Sequence, residues 1–388
     1  MAVAINEINF PDPAFRSYIQ SEVMGNSSAS MLTDAKISST KSIDIPSLNI
    51  ANLKGIEYFT ALRSLYCSDN NLTSLDVSNN TELIQLECED TPITTINASG
   101  CRKLETVLIY NNNPLLTDID LSNTGVINAD ELSPTLKNIN MSGCLSLEYI
   151  VGDFPDLVTL DVSDCVKLTE IQATAPKLAN LYLNGCVSLF MLWIPNTSIT
   201  NIDLNGLEAL DEINCVNSHL TSLDTTSCSS LTICTCSGQT RGISSYNITY
   251  DSSNGDKPYA IDLSPFVDDI LKISQVTAYA LDDTIISSDF SNGVVYMAAE
   301  PNAIQYEYSV VLPCYGETET MDVTLYILPV PIITTLTLPN AILQTAYSAV
   351  LRVTGTAPIT FDITAGQLPP GLTLDTNTGV ISGTPIQE

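Results

Sequence analysis

A 21-residue period constrains this chain more than any other feature of its sequence. From Leu62 onward an apolar residue returns every 21 residues, with one interval a residue longer. The nine anchors are Leu62, Leu83, Leu104, Val126, Leu147, Leu168, Leu189, Leu210 and Leu231. The first unit, "LRSLYCSDNNLTSLDVSNNTE", contains L-x-x-L-x-C-x-x-N-x-L, the leucine-rich-repeat signature with cysteine at one leucine position. One unit cannot bury its apolar face alone, so successive units are expected to stack as the coils of a solenoid.

Each coil is predicted to contribute two strands to opposite walls. Successive strand side chains point to opposite faces, so positions +3 and +5 from the anchor face inward and +2, +4 and +6 face outward. We call the sheet formed by these strands, at positions +2 to +6 of each coil, the front sheet. A second ladder of apolar residues predicts a rear sheet, and it comprises Leu72, Ile93, Leu116, Leu136, Leu157, Leu178, Ile199 and Leu220. The sequence therefore predicts a mainly β leucine-rich-repeat solenoid of about nine 21-residue coils.

The repeat is stretched in "NNNPLLTDIDLSNTGVINADEL", the stretch that begins at Asn111. Glu131 falls there on an inward position of the front strand. Burying an unpaired carboxylate is costly, so we expect a broken strand or a loop at this point.

The cysteines follow the repeat. Four occupy anchor +5 and five lie three residues before the next anchor, which places nine of the eleven at two repeat positions: Cys67, Cys88, Cys215 and Cys236, then Cys101, Cys144, Cys165, Cys186 and Cys228. We therefore expect free thiols that pack as small apolar core residues. Zinc would require close cysteine pairs, and only Cys234 and Cys236 are close. Disulfides between stacked coils stay an alternative that the spacing does not indicate.

The flanks of the repeat divide the chain into four predicted parts. In "FPDPAFRSYIQSEV", Asp12 stands at a helix N-cap and Pro13 at the first helical position. Strand-like runs separated by turn signals replace the period after about Gln239. We predict a helical cap with a partial first coil at 1–61, the solenoid at 62–246, a small β-sandwich at 247–328 and a partial Ig-like module at 329–388.

The C-terminal stretch "GQLPPGLTLDTNTGVISGTP" carries a specific motif. It resembles the putative-Ig (cadherin-like) modules of bacterial surface proteins, and the matching residues are Leu368, Pro369, Gly371, Leu372, Leu374, Thr378, Gly379, Ile381, Gly383, Thr384 and Pro385. The segment is shorter than the roughly 100 residues of a complete sandwich. We expect a truncated module, or one completed by other sequence.

The front of the chain resembles a second family. "INFPDPAFRSYI", "LTDAKI" and "LKGIEYFTALRSLYCSDNNLTSLDVSNNTEL" are similar to internalin-like leucine-rich-repeat proteins exported by bacteria. This resemblance spans roughly residues 5–240 and implies export, surface display and protein binding. The chain itself starts without the basic and apolar regions of a secretory signal, as would a cytosolic protein or a mature fragment restarted with a methionine. Since the resemblance implies export, we expect an extracellular or surface protein whose signal peptide has been removed.

Charge and motif content exclude several function classes. Acidic residues outnumber basic ones 44 to 14, for a formal net charge of −30, which argues against nucleic acid as a partner. No apolar run has the roughly 20 residues of a membrane span. The single histidine, His219, is expected at a solvent-facing turn, and no nucleotide-binding motif occurs. We predict no enzyme activity, no cofactor and no metal site.

An acidic row is expected on the rear sheet. It consists of Asp76, Asn97, Asp120, Asn140, Asp161, Tyr182, Asp203 and Asp224. We interpret it as a solvated face that keeps the solenoid soluble. Weak calcium coordination is the alternative, since calcium prefers carboxylate oxygens.

The only tryptophan, Trp193, falls on an outward position of the front sheet. Exposed aromatic residues on a solenoid sheet fit interface anchors. The predicted partner-binding residues are Tyr66, Glu87, Leu108, Tyr110, Tyr149, Val151, Met191, Trp193 and Asn214. Alternatively, Trp193 packs under a neighbouring domain or a second copy of the chain, or it serves as a platform for carbohydrate.

The sequence thus predicts a non-catalytic secreted or surface protein that binds a protein of a host or neighbouring cell through the concave front sheet. The sandwich regions would act as spacers. A carbohydrate-binding or glycan-degrading protein, and a structural spacer without a specific ligand, remain the alternatives.

Overall fold

The computed structural model describes residues 2–109, 113–130, 132–329, 331–335, 337–354, 359–364 and 366–387. The chain divides into two compact units. The first comprises Met1–Arg241, Phe266–Ser274 and Glu307–Val323, and the second comprises Gly242–Pro265, Gln275–Tyr306 and Thr324–Glu388.

The N-terminal cap has the helix that the sequence predicts. It spans Pro13–Tyr18 and continues as a π-helical turn, Ile19–Val23. Asp12 is its N-cap, because one carboxylate oxygen accepts from the backbone N–H groups of Ala14 and Phe15 at 2.9 and 3.0 Å. Its other oxygen accepts from the N–H of Ala51 at 2.8 Å and so ties the helix to the first coil.

The remaining elements of the cap are short. A helix spans Asp34–Ser39 and a 3₁₀ turn spans Ile56–Tyr58. Val3–Ala4 and Met31–Leu32 form an antiparallel pair of strands.

The front sheet is parallel and in register from coil to coil, but it is interrupted once. Its first part has four strands, Ser42–Asp44, Ser64–Tyr66, Gln85–Glu87 and Thr106–Leu108. Its second part has five, Tyr149–Asp153, Glu170–Thr174, Met191–Trp193, Glu212–Asn214 and Ile233–Thr235. Between them the described residues form a single isolated bridge, Asn128 with Tyr149. The expected interruption is present, although Glu131 itself lies outside the described residues.

The rear sheet is also parallel and has six strands. They are Ser74–Asp76, Thr95–Asn97, Asp118–Asp120, Asn138–Asn140, Thr159–Asp161 and Asn180–Tyr182. The prediction of rear strands in all eight coils is wrong for the last two, where residues 202–204 and 223–225 are not strands. In the last coil, Thr221 and Ser222 donate side-chain hydrogen bonds to the carbonyl of Phe266 and the carboxylate of Asp268 instead of facing solvent.

The interior between the two walls confirms the predicted solenoid. All nine front anchors and all eight rear anchors are buried. All eleven cysteines are free thiols, and only Cys234 and Cys314 are not fully buried. Three turn cysteines donate to carbonyl oxygens of the preceding coil at 3.1 Å, namely Cys144 to Leu121, Cys165 to Met141 and Cys186 to Val162. The thiols therefore fill space and also join successive coils.

The region after the solenoid is built of β-strands. A four-stranded antiparallel sheet has the order Ile248–Tyr250, Tyr259–Asp262, Val294–Met297, Asp289–Ser291. Other strands are Gln239–Ser244, Ile273–Tyr279, Ile285–Ser287, Ala303–Leu312 and Glu317–Leu328. Short 3₁₀ turns span Ser245–Asn247, Ser252–Asn254 and Ile270–Lys272.

The C-terminal segment contains two small antiparallel sheets. One pairs Ile332–Ile333 with Val353–Thr354, and the other has the order Tyr347–Val350, Val380–Gly383, Leu372–Leu374. Gly371 and Gly383 are required where two backbones meet. A Cβ on Gly371 would collide with the carbonyl oxygen of Thr384, and one on Gly383 would collide with that of Gly371.

Candidate binding surface

Trp193 projects from the front sheet as its position in the repeat predicts. Its neighbours Leu192 and Ile194 are completely buried, whereas 40% of Trp193 is exposed. The indole Nε1–H donates to the Glu212 carboxylate at 3.0 Å. Since Glu212 belongs to the next coil, the stacking of coils positions the ring.

Five of the predicted partner-binding residues share the second part of the front sheet. Gln172 pairs with Trp193 on one side, and Asn214 pairs with it on the other. Met191 is the preceding outward residue of the same strand and accepts from the Gln172 amide at 3.3 Å. Tyr149 and Val151 lie one strand beyond Glu170 and Gln172. The structure therefore brings Tyr149, Val151, Met191, Trp193 and Asn214 onto one surface, which we call the Trp193 surface.

The remaining predicted residues do not join this surface. Tyr66, Glu87 and Leu108 lie on the first part of the front sheet, beyond the interruption. There the Tyr66 hydroxyl donates to the Gln85 amide oxygen at 3.1 Å, and Glu87 accepts from Ser68 at 3.3 Å. Tyr110 lies outside the described residues. The predicted set is thus split into two surfaces, because continuous hydrogen bonding between front strands stops near Asn128.

The outward charges of the front sheet all have one sign. Its nine described strands carry five outward carboxylates and no lysine or arginine, the acids being Asp44, Glu87, Asp153, Glu170 and Glu212. None of the ion pairs in the described part of the chain involves these five carboxylates. The front sheet therefore combines exposed apolar side chains with uncompensated negative charge.

The acidic row of the rear sheet has a structural role that sequence analysis missed. In Asp120, Asn140 and Asp161, the side-chain oxygen Oδ1 accepts a hydrogen bond from the backbone N–H two residues later at 2.9–3.0 Å. The same Asx turn recurs at Asp76, Asn97, Asp203 and Asp224. The recurring D/N-x-S/T/N triplet in the sequence could have indicated these turns, because Asp and Asn side chains close such turns.

A groove crosses the rear sheet, with a volume of about 450 Å³. Its outward lining consists mainly of small polar side chains, including Thr95, Asn97, Asp118, Asp120, Asn138, Asn140, Thr159 and Asp161. Tyr182, which is 51% exposed, closes one end. Sequence analysis did not indicate this groove, since its shape depends on how five coils stack.

A second cleft, of about 620 Å³, lies between the cap helix and the first front strand. Tyr18 and Glu22 line one side, and Asp44, Pro46 and Leu48 line the other. The Asp44 N–H donates to the Tyr18 hydroxyl at 3.3 Å across it. Burial raises the pKa of Tyr18, so this hydroxyl stays protonated at neutral pH.

In the described part of the chain, no three His, Cys, Asp or Glu side chains are placed to share a metal ion. His219, expected to face solvent at a turn, is half-buried, and its backbone N–H donates to the carbonyl of Ile199 at 3.1 Å. Among the described residues, no helix is long and apolar enough to cross a membrane.

Comparisons with known proteins give the following matches. Residues 330–388 match the family model described as "Putative Ig domain". No curated protein sequence matches this chain significantly. The chain is similar to the functional domain of InlJ from Listeria monocytogenes, a structure that includes a cysteine ladder, with 16% identity and a TM-score of 0.27; the match covers 84% of this chain and 99% of that chain.

Two further solved structures from Listeria monocytogenes are also similar. A secreted internalin-like protein has 16% identity and a TM-score of 0.27, covering 84% of this chain and 98% of its own. Internalin C2 has 18% identity and a TM-score of 0.28, covering 60% and 97%. The family model matches the segment whose motif resembles an Ig-like module, and these two solved structures are an internalin and an internalin-like protein, of the family that the front of the chain resembles. At such identities they say nothing about what this chain binds.

Proposed function

We propose that this chain is a non-catalytic binding protein that holds a partner protein on its Trp193 surface. The observation that carries the proposal is the exposed position of Trp193 among other apolar front-sheet residues. A fold of stacked coils does not require a large aromatic side chain to face outward. Tryptophan and tyrosine are the side chains that most often dominate the energy of protein interfaces.

We further propose that the protein is secreted or displayed at a cell surface and binds a host or neighbouring cell. The match of residues 330–388 to a "Putative Ig domain" supports this location, since such modules resemble those of bacterial surface proteins. The division at residues 61, 246 and 328, with the C-terminal regions as spacers, also remains a proposal. Antibody labelling of intact producing cells and of their medium would test the location.

A double variant tests the binding surface. Trp193→Ala with Tyr149→Ala is expected to reduce adhesion of the purified chain to host cells and matrix proteins at least tenfold, because interface anchors typically contribute over about 1.4 kcal/mol. The matched control is Ser74→Ala with Asn180→Ala, two exposed positions of the rear sheet outside its groove, which should leave adhesion unchanged. Circular dichroism would verify that each variant folds. Unchanged adhesion of the front variant would remove the proposed surface.

The rear groove favours a second candidate function, the binding of a glycan. Amide, hydroxyl and carboxylate groups along it suit sugar hydroxyls, and Tyr182 offers an aromatic platform at one end. In this case a glycan array would give specific signals that Tyr182→Ala abolishes and Trp193→Ala retains. An array without specific signals would exclude this candidate for the sugars tested.

A further inference from the structure

We infer, building on the proposed function, that the Trp193 surface accepts a cationic segment of the partner protein, with an arginine or lysine seated beside Trp193. The register places Glu170, Met191 and Glu212 side by side on three neighbouring strands. Adjacent strands lie about 4.8 Å apart. Two carboxylates therefore flank the strand that carries Met191 and Trp193.

The indole is held in a way that favours a cation over a hydrogen-bond acceptor. Its only donor, Nε1–H, is already used by the Glu212 carboxylate at 3.0 Å. The exposed part of the side chain, 40%, therefore has no free donor to offer, and its aromatic ring is the group left for a ligand. A guanidinium or ammonium group is attracted to the face of such a ring, most strongly to that of tryptophan.

The surrounding charges favour the same ligand. Asp153, Glu170 and Glu212 are the charged residues among the outward positions of the five strands in this part of the sheet, and no basic residue accompanies them. None takes part in an ion pair among the described residues. A partner with basic side chains would neutralise them, and the methylene stems of those side chains would pack on Val151 and Tyr149.

Two peptides of matched shape test the inference. Acetylated Arg-Gly-Arg-Gly-Arg amide and its citrulline counterpart differ in the charge of the side-chain end group. Because Trp193 is the only tryptophan, its fluorescence reports binding at this surface alone. The arginine peptide should change the emission saturably at physiological salt, and the citrulline peptide should bind at least tenfold more weakly.

Two double variants separate a specific site from general attraction to an acidic protein. Glu170→Gln with Glu212→Gln should weaken the arginine peptide roughly tenfold, while the amide oxygen that Glu212→Gln introduces can still accept the indole N–H. The control, Asp76→Asn with Asp203→Asn, removes the same charge from exposed positions of the rear wall outside its groove, in a row where Asn97 and Asn140 already occur. It should change affinity less than about twofold, since distant exposed charges are screened.

Three results would overturn the inference: no saturable change in Trp193 emission, equal binding of both peptides, or equal weakening by both double variants. Adhesion measurements separate this failure from failure of the proposed function. If Trp193→Ala with Tyr149→Ala abolishes adhesion and the glutamine variants do not, the surface binds a partner that is not cationic. If the alanine variant also retains adhesion, the proposed function fails as well.

Discussion

The front and rear sheets of the solenoid share the same backbone plan, but their outward side chains differ in size and in what they bond to. Both are parallel, both repeat once per coil, and both bury the middle residue in most of their three-residue strands. Outward side chains of the front sheet are partly long or aromatic and contact their counterparts on neighbouring coils, as Trp193 contacts Glu212. In the rear sheet, one outward row consists mainly of short Asp and Asn side chains that bond to their own turn, as Asp161 bonds to the N–H of Ser163 at 2.9 Å.

This difference separates residues that the fold requires from residues that it tolerates. The rear Asp and Asn side chains satisfy backbone donors where the chain leaves the sheet, so their recurrence has a structural cause. No local backbone group needs Tyr149, Val151 or Trp193, and their exposure costs favourable burial. The front surface is therefore where a functional reason for residue choice is expected.

The largest expected effect is on stability, and it tests the buried core that both sheets pack against. Leu192→Ala in the front sheet and Leu160→Ala in the rear sheet each empty a fully buried position. Each should lower the free energy of unfolding by about 2–5 kcal/mol, as measured by urea denaturation. The outward change Gln172→Ala is the control and should stay within about 0.5 kcal/mol. A cost below about 1 kcal/mol for Leu160→Ala would show that the rear wall does not pack the common core.

A smaller effect on stability tests the Asx turns, which are the structural role of the Asp and Asn row on the rear sheet. Asp161→Ala removes the acceptor of the Ser163 N–H and should cost about 1 kcal/mol of unfolding free energy. Asp161→Asn keeps an acceptor and should cost less than half of that. If both substitutions are neutral by the same denaturation assay, the Asx turns do not explain the recurrence of Asp and Asn in this row.

The smallest effect concerns pH and the last member of that row. Hydrogen bonds from the backbone N–H and side chain of Thr226 lower the pKa of Asp224. A lowered folded-state pKa adds stability that is fully present above the usual value of about 4 and is lost as pH falls through the folded value. The stability advantage of the parent chain over Asp224→Asn should therefore shrink as pH falls from about 5 toward 2. An advantage that grows on acidification would contradict the assigned bonds.

Several features could be predicted from the sequence because they depend on short-range patterns. Strand alternation identified Leu192 and Ile194 as buried and Trp193 as exposed, and the 21-residue step placed the anchors and the interior cysteines. Asp12 and Pro13 marked the start of the cap helix through local backbone chemistry. The Asx turns were equally local, and a search for D/N-x-S/T/N triplets would have found them.

Other features were decided by contacts between distant residues. The sequence predicts a break near Glu131, but the hydrogen bonding between coils decides that this break divides the front sheet in two and separates Tyr66, Glu87 and Leu108 from the Trp193 surface. The last predicted rear strand is absent where Thr221 and Ser222 bond to Phe266 and Asp268, more than 40 residues later. The rear groove needs five stacked coils, and the Trp193–Glu212 bond needs two.

By itself, then, the sequence determined which side chains face the interior, because period-2 alternation and a fixed repeat length are properties of neighbouring residues. The tertiary structure decided which outward side chains meet and where each sheet ends. Those outcomes depend on register between coils and on segments far away in the chain, and no local pattern encodes them.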